Sequence, residues 1–179
     1  MFSLSGEYPG SSDLRPPKAK TDMERPQQTV EIIGIDKMKF VVTQNTPAVV
    51  VGDTITTADG NSYLELEAIR AEPGSRLRVE LRTKSELPPK SMSHNWVLLK
   101  PDADRDAFDK AAVLAVDHNY IPPEQEYQVI ANTGLAAGGE TVSASFEVPG
   151  KQGLYDYLCS FPGHFANGMR GKLIVQERN

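Results

Sequence analysis

The sequence holds a single cysteine, Cys159, and a histidine and a methionine follow it at short regular intervals in CSFPGHFANGM. The spacing is Cys159-x4-His164-x4-Met169. A thiolate and a thioether are soft donors and imidazole is intermediate. Cysteine with two histidines, and a weak methionine on the axis, is the donor set that suits copper. Pro162-Gly163 and Gly168 supply turns that aim three side chains at one atom. A lone cysteine is more often a buried apolar residue, and it is these neighbours that change the reading. It also excludes an intrachain disulfide.

The second histidine must come from elsewhere, and the chain has only His94 and His118 left. His94 lies in SHNWVLL, at the start of an apolar strand beside Trp96. Given a Cys-His-Met loop in the same chain, it is the expected fourth ligand. His118, in DHNYIPP, follows a helical stretch and precedes two prolines, so it reads as a surface residue.

The elements that must hold these residues are mostly strands. LYDYL precedes the cysteine and GKLIV follows the methionine, so the loop is mounted between two strands. In RLRVELR, Leu77, Val79 and Leu81 alternate with charged residues, a period of two with one wet face. Leu64, Leu66 and Ala68 repeat the pattern, as do Val142, Ala144, Phe146 and Val148. Asp59-Gly60, Pro73-Gly74, Gly138-Gly139 and Pro149-Gly150 mark turns between strands. Many short strands with regular turns indicate an all-β sandwich. One segment, 102–116, has Ala107, Phe108, Ala111, Leu114 and Ala115 at helical spacing and acids in its first turn, which predicts a single external helix.

Residues 1–28 hold four prolines, many small polar residues and no apolar periodicity, so they read as a disordered tail or tether. The domain is expected over 29–179. No stretch reaches the ~20 apolar residues of a membrane span, and MFSLSGEYPGSS shows no signal segment. The net charge of -5 argues against sequence-independent nucleic-acid binding, which needs clustered Lys and Arg.

MSHNWVL and CSFPGHFANGMRGKLIV resemble the two ligand segments of the cupredoxins, in the azurin and auracyanin branch. IDKMKF, LPPKSMSHNWVL and DHNYIPPEQEYQVIANTGLAAGGETVSASFEV resemble azurin, whereas PGHFANGM, with four residues between His and Met, is closer to auracyanin. The resemblance covers about 29–179, and 41–62 reads as an insertion. It implies a Greek-key sandwich of about eight strands and a type 1 copper site of His94, Cys159, His164 and Met169. It adds a weak carbonyl contact from Ser93, although azurins have glycine there. Asn95 and Ser160 match residues that tie the two ligand segments together, and the Phe161 amide matches a donor to the sulfur. An apolar rim of Met38, Met92, Pro162, Phe165 and Ala166 is expected around His164. The implied function is single-electron shuttling by outer-sphere transfer, without enzymatic activity. Partners would be redox proteins such as cytochromes or membrane electron-transfer complexes. The implied location is extracytoplasmic, periplasmic or held at a membrane through the tail. A copper enzyme would need a second site built from further histidines, which a chain with three in all does not supply alone. A copper buffer on the same fold is the other alternative.

Overall fold

The alternating apolar positions become one face of successive strands. The structure, a computed structural model, describes residues 27–177. The tail read over 1–28 therefore lies outside the described residues except for Gln27 and Gln28, which open the first strand. One half of the sandwich is built from β1 (Gln27–Ile35), β2 (Lys39–Val42), β5 (Arg76–Lys84) and β10 (Thr141–Glu147), in the order β10-β5-β1-β2. The other half contains β3 (Val49–Thr56), β4 (Ser62–Ala71), β7 (Val97–Leu99), β8 (Val129–Asn132), β11 (Gly153–Leu158) and β12 (Arg170–Val175). Its order from β4 is β4-β12-β11-β7-β8. A small ladder joins β6 (Ser93–His94) to β9 (Ala136–Ala137).

β4 connects the halves. β3 runs along one edge of β4, while the other edge takes β2 at Leu64 and Glu65 and then β12 from Ala68 to Ala71. The segment expected as an insertion, 41–62, thus carries β3 as an added outer strand. Its tip is tied down at the ligand end of the sandwich. Lys84 on β5 pairs with Asp59, and Lys37 donates to the Thr56 carbonyl at 2.9 Å.

The interior is filled by Ile32, Phe40, Leu66, Leu77, Leu81, Trp96, Leu98, Tyr157 and Leu173, among others. Trp96 packs on Tyr157 with ring centroids 5.4 Å apart. A second cluster lies behind β7 and β11 and contains Val97, Leu99, Phe108, Ile121, Leu158 and Phe165. This explains why NWVLL reads as an unbroken apolar run. Trp96 and Leu98 face the sandwich core and Val97 and Leu99 face the second cluster, so β7 is buried on both sides.

The helix covering that second cluster is α1 (Arg105–Ala112), shorter than the expected 102–116. The Asp104 side chain accepts from the Ala107 amide at 3.0 Å as its N-cap, and Asp106 and Lys110 complement the dipole. Phe108 and Ala112 are its buried residues. Leu114, expected on the buried face, is instead 88% exposed. After Ala112 the amides of Leu114 and Ala115 bond three residues back, to Ala111 and Ala112. That tighter winding turns Leu114 outward.

Candidate metal centre

Parity along two doubly buried strands places the donors. Tyr155, Tyr157 and Cys159 alternate with Leu158 and share the core side. His94 has the same parity as Trp96 and Leu98. Both ligand segments therefore point their donors into one end of the sandwich. The loop from Cys159 to Met169 closes on itself. The Cys159 amide donates to the Met169 carbonyl at 3.0 Å, and the Met169 amide donates to His164 at 3.0 Å. Gly163 and Gly168 have φ of 81° and 88°, the left-handed region that only glycine enters freely. His94 is anchored by its ladder pairing with Ala136.

The structure brings His94, Cys159 and His164 together, with one donor atom from each within 4.8 Å of the others. The two Nδ1 atoms are 3.1 Å apart. The Cys159 sulfur is 3.4 Å from His164 Nδ1 and 4.0 Å from His94 Nδ1. Donors bound at about 2.0–2.3 Å to a single ion are separated by distances of this order, so the three fit one metal. Cys159 and His94 are fully buried and His164 is 2% exposed. Met169 is also fully buried, in the core cluster with Cys159. Ser93 is buried, pairs with Ala137 and donates through its hydroxyl to Pro89. His118 is exposed and outside the three-donor group.

Burial lowers the His94 pKa from 6.5 to about 3, with repulsion from His164 adding to it, and lowers that of His164 to about 4. Burial also pushes the Cys159 thiol up to about 12, against hydrogen bonds from the Asn95 and Phe161 amides, and Asp109 raises it slightly further. Without metal, all three donors are neutral near neutral pH. Neutral imidazole is already the ligand form. A thiolate here lacks a balancing charge, and a bound cation supplies one.

These shifts fix how the metal-free protein responds to pH. Between pH 6.5 and about 4 the unfolded chain takes up protons on two histidines that the native state refuses. Stability is therefore full above 6.5 and falls as pH drops, with a slope approaching two protons. The raised thiol acts in the opposite sense, because above pH 9 the unfolded thiol ionises first and stability falls again. Urea denaturation of the metal-free protein across this range should show its maximum between about 6.5 and 9. A flat acid limb would mean that the imidazoles are not buried in the neutral form.

A hydrogen-bonded clasp joins the two ligand segments. The Ser160 amide donates to Asn95 Oδ1 at 2.8 Å, and Asn95 Nδ2 donates to Ser160 Oγ at 2.8 Å. Asn95 Nδ2 also donates to the Asn119 carbonyl at 3.0 Å, and Ser160 Oγ to the Tyr120 carbonyl at 2.7 Å. Sequence reading found Asn95 and Ser160 but missed Asn119 and Tyr120. These two hold φ of 53° and 61°, costly for a tyrosine, and so aim consecutive carbonyls at the clasp. The only sequence signal was an asparagine ahead of Ile-Pro-Pro.

The expected rim is corrected in part. Ala166 is exposed, and Pro162 and Met38 are half-buried. Met92 and Phe165 are each only 4% exposed. The Met92 amide bonds back to Pro88 in a tight turn that tucks its side chain in. Phe165 packs into the cluster beneath α1.

Comparison with known proteins agrees with this geometry. The family profile described as copper binding proteins, plastocyanin/azurin family, matches residues 27–176. Azurin iso-2 of Methylomonas sp. (strain J) is 34% identical over 126 residues, covering 69% of this chain and 96% of that protein. Outer membrane protein H.8 of Neisseria meningitidis serogroup B is 31% identical over 131 residues, covering 70% of this chain and 69% of that one. Among solved structures, auracyanin B superposes with a TM-score of 0.61 at 26% identity, over 86% of this chain and 91% of that chain.

Proposed function

Because the chain belongs to the plastocyanin/azurin family of copper-binding proteins, we propose that it is a type 1 copper electron carrier, passing single electrons between redox proteins by outer-sphere transfer. The observation that carries this is the convergence of two Nδ1 atoms and one thiol in a fully buried, apolar pocket. His94, Cys159 and His164 hold the ion, Met169 is the weak axial ligand, and the Ser93 carbonyl makes a further weak contact. Bound copper supplies a one-electron Cu(II)/Cu(I) couple. The chain's own part is to keep the donors still. The clasp and the self-closed loop resist the change of shape that each oxidation state would prefer, and the buried walls exclude water. The Asn95 and Phe161 amides stabilise negative charge on the sulfur. His164 is the ligand nearest the surface, flanked by exposed Gly163 and Ala166, so docking partners approach there. No bond is made or broken, and the protein is not an enzyme.

The oxidised protein should be intensely blue and exchange electrons rapidly with its own reduced form. A blue protein with slow self-exchange would favour the alternative of a copper buffer. Met169→Leu should stay blue and gain a higher reduction potential, since an apolar group in the axial position favours the lower-charged Cu(I) state. An unchanged potential would remove Met169 from the ligand set.

We place the domain over the strands and the preceding residues in a tail, with an extracytoplasmic location. The relative named as an outer membrane protein supports that location and a membrane tether. Deleting residues 1–26 should leave spectrum and folding unchanged, because β1 begins at Gln27. Loss of folding would show that the tail packs on the sandwich.

A further inference from the structure

Gly34, on β1, has no part in the ligand set, yet it touches a ligand more closely than any side chain there would allow. A Cβ built on Gly34 would lie 2.4 Å from His94 Cδ2, 2.7 Å from Cγ and 3.1 Å from Cβ. These atoms are the root and one edge of the ring, not a flexible tip. His94 is fully buried, so the ring has no outward escape. Gly34 is also not among the glycines with positive φ, so its backbone does not call for glycine. What calls for it is space.

We propose that Gly34 is a positioning residue for His94. The bare backbone of β1 is the surface on which the ring rests, and it sets how far Nδ1 reaches toward Cys159 and His164. The inference rests on the copper-site reading and adds a determinant to it. In an imidazole, Cδ2 and Nδ1 are the two edges on either side of Cγ. A methyl group pressing on the Cδ2 edge drives Nδ1 toward His164 Nδ1, already 3.1 Å away. β1 cannot retreat, because Gly34 pairs with Phe40 on β2 and Thr83 on β5, and Phe40 is locked against Tyr157 at 5.7 Å.

Thr83 acts on the same ligand from the same rung. It is fully buried, and its hydroxyl donates to the Ala136 carbonyl at 2.9 Å. Ala136 is the ladder partner of His94. One cross-strand pair, Gly34 and Thr83, thus holds His94 twice: the glycine under its ring, the threonine behind its backbone.

The test has two parts. In the metal-free native protein, a proton NOE should connect the Gly34 Hα protons to His94 Hδ2, and its absence would overturn the contact without any reference to copper. In the copper-loaded protein, Gly34→Ala should keep one copper per chain but alter the intensity ratio of the visible charge-transfer bands and the Cu(II) EPR hyperfine splitting. Thr83→Val should shift the same signals in a milder form, and Thr83→Ser, which keeps the hydroxyl, should restore them. Gly150→Ala serves as control, since a Cβ there meets nothing within 4 Å. If Gly34→Ala does not fold, the NOE and the threonine pair still decide the matter. Native spectra in both Gly34→Ala and Thr83→Val would overturn the proposal, whereas a native protein without a blue site would overturn the copper reading itself.

Discussion

Replacing His94 with alanine should abolish the intense visible absorption of the copper-loaded protein, and replacing His118 should leave it untouched. The two are the only candidates for the second imidazole, and the structure separates them. His94 is fully buried with Nδ1 facing His164 and Cys159, whereas His118 is exposed after a short 3₁₀ turn. The metal-free forms give an independent readout. His94 is one of two histidines kept neutral by burial, so His94→Ala should remove about one proton from the acid slope of stability. His118→Ala should not change that slope. Colour lost with His118→Ala and retained with His94→Ala would overturn the site assignment.

Asn95→Leu should be the most damaging change outside the donors. The side chain accepts from the Ser160 amide and donates to Ser160 Oγ and the Asn119 carbonyl. Leucine is close in size but satisfies none of them. Each buried polar group left without a partner costs about 1–3 kcal/mol, and the cost over the clasp is about 3–5 kcal/mol. Ser160→Ala removes only the hydroxyl and keeps the amide bond to Asn95, so it should cost about 1 kcal/mol. Urea denaturation of the metal-free variants compares the two directly. Equal costs would mean that Asn95 is not the bridging member of the clasp. In the copper-loaded form, Asn95→Leu should also lose metal faster, because the segments carrying His94 and Cys159 are no longer tied.

The parts of this site that are contiguous in the chain were legible in the sequence. Cys159, His164 and Met169 stand in one loop between two strands, and their types alone name the chemistry. Strands wet on one face were equally readable, because Leu77, Val79 and Leu81 alternate with charges, and all three are fully buried. What could not be read depends on register between distant strands. Gly34 looks like a strand breaker until pairing sets it beside Thr83 and under His94. Asn119 and Tyr120 matter only because a left-handed turn directs their carbonyls at Asn95 and Ser160. The two misplaced apolar residues have the same origin. Leu114 faces solvent because the helix tightens after Ala112, and Met92 is covered because a turn at Pro88 folds it in.

The parallel pairing of β12 with β4 sets when the site can exist during synthesis. Lys172 meets Ala68 in that ladder, so the final strand must return to one made more than a hundred residues earlier. Cys159, His164 and Met169 all belong to the last stretch the ribosome delivers, and the loop carrying them is framed only once β12 docks. Contacts of such long sequence separation form late and slowly. An emerging chain therefore offers passing metal ions one loose thiol and scattered imidazoles rather than a trap. The competent pocket appears with the last strand, which makes metal capture a report that the whole sandwich has closed.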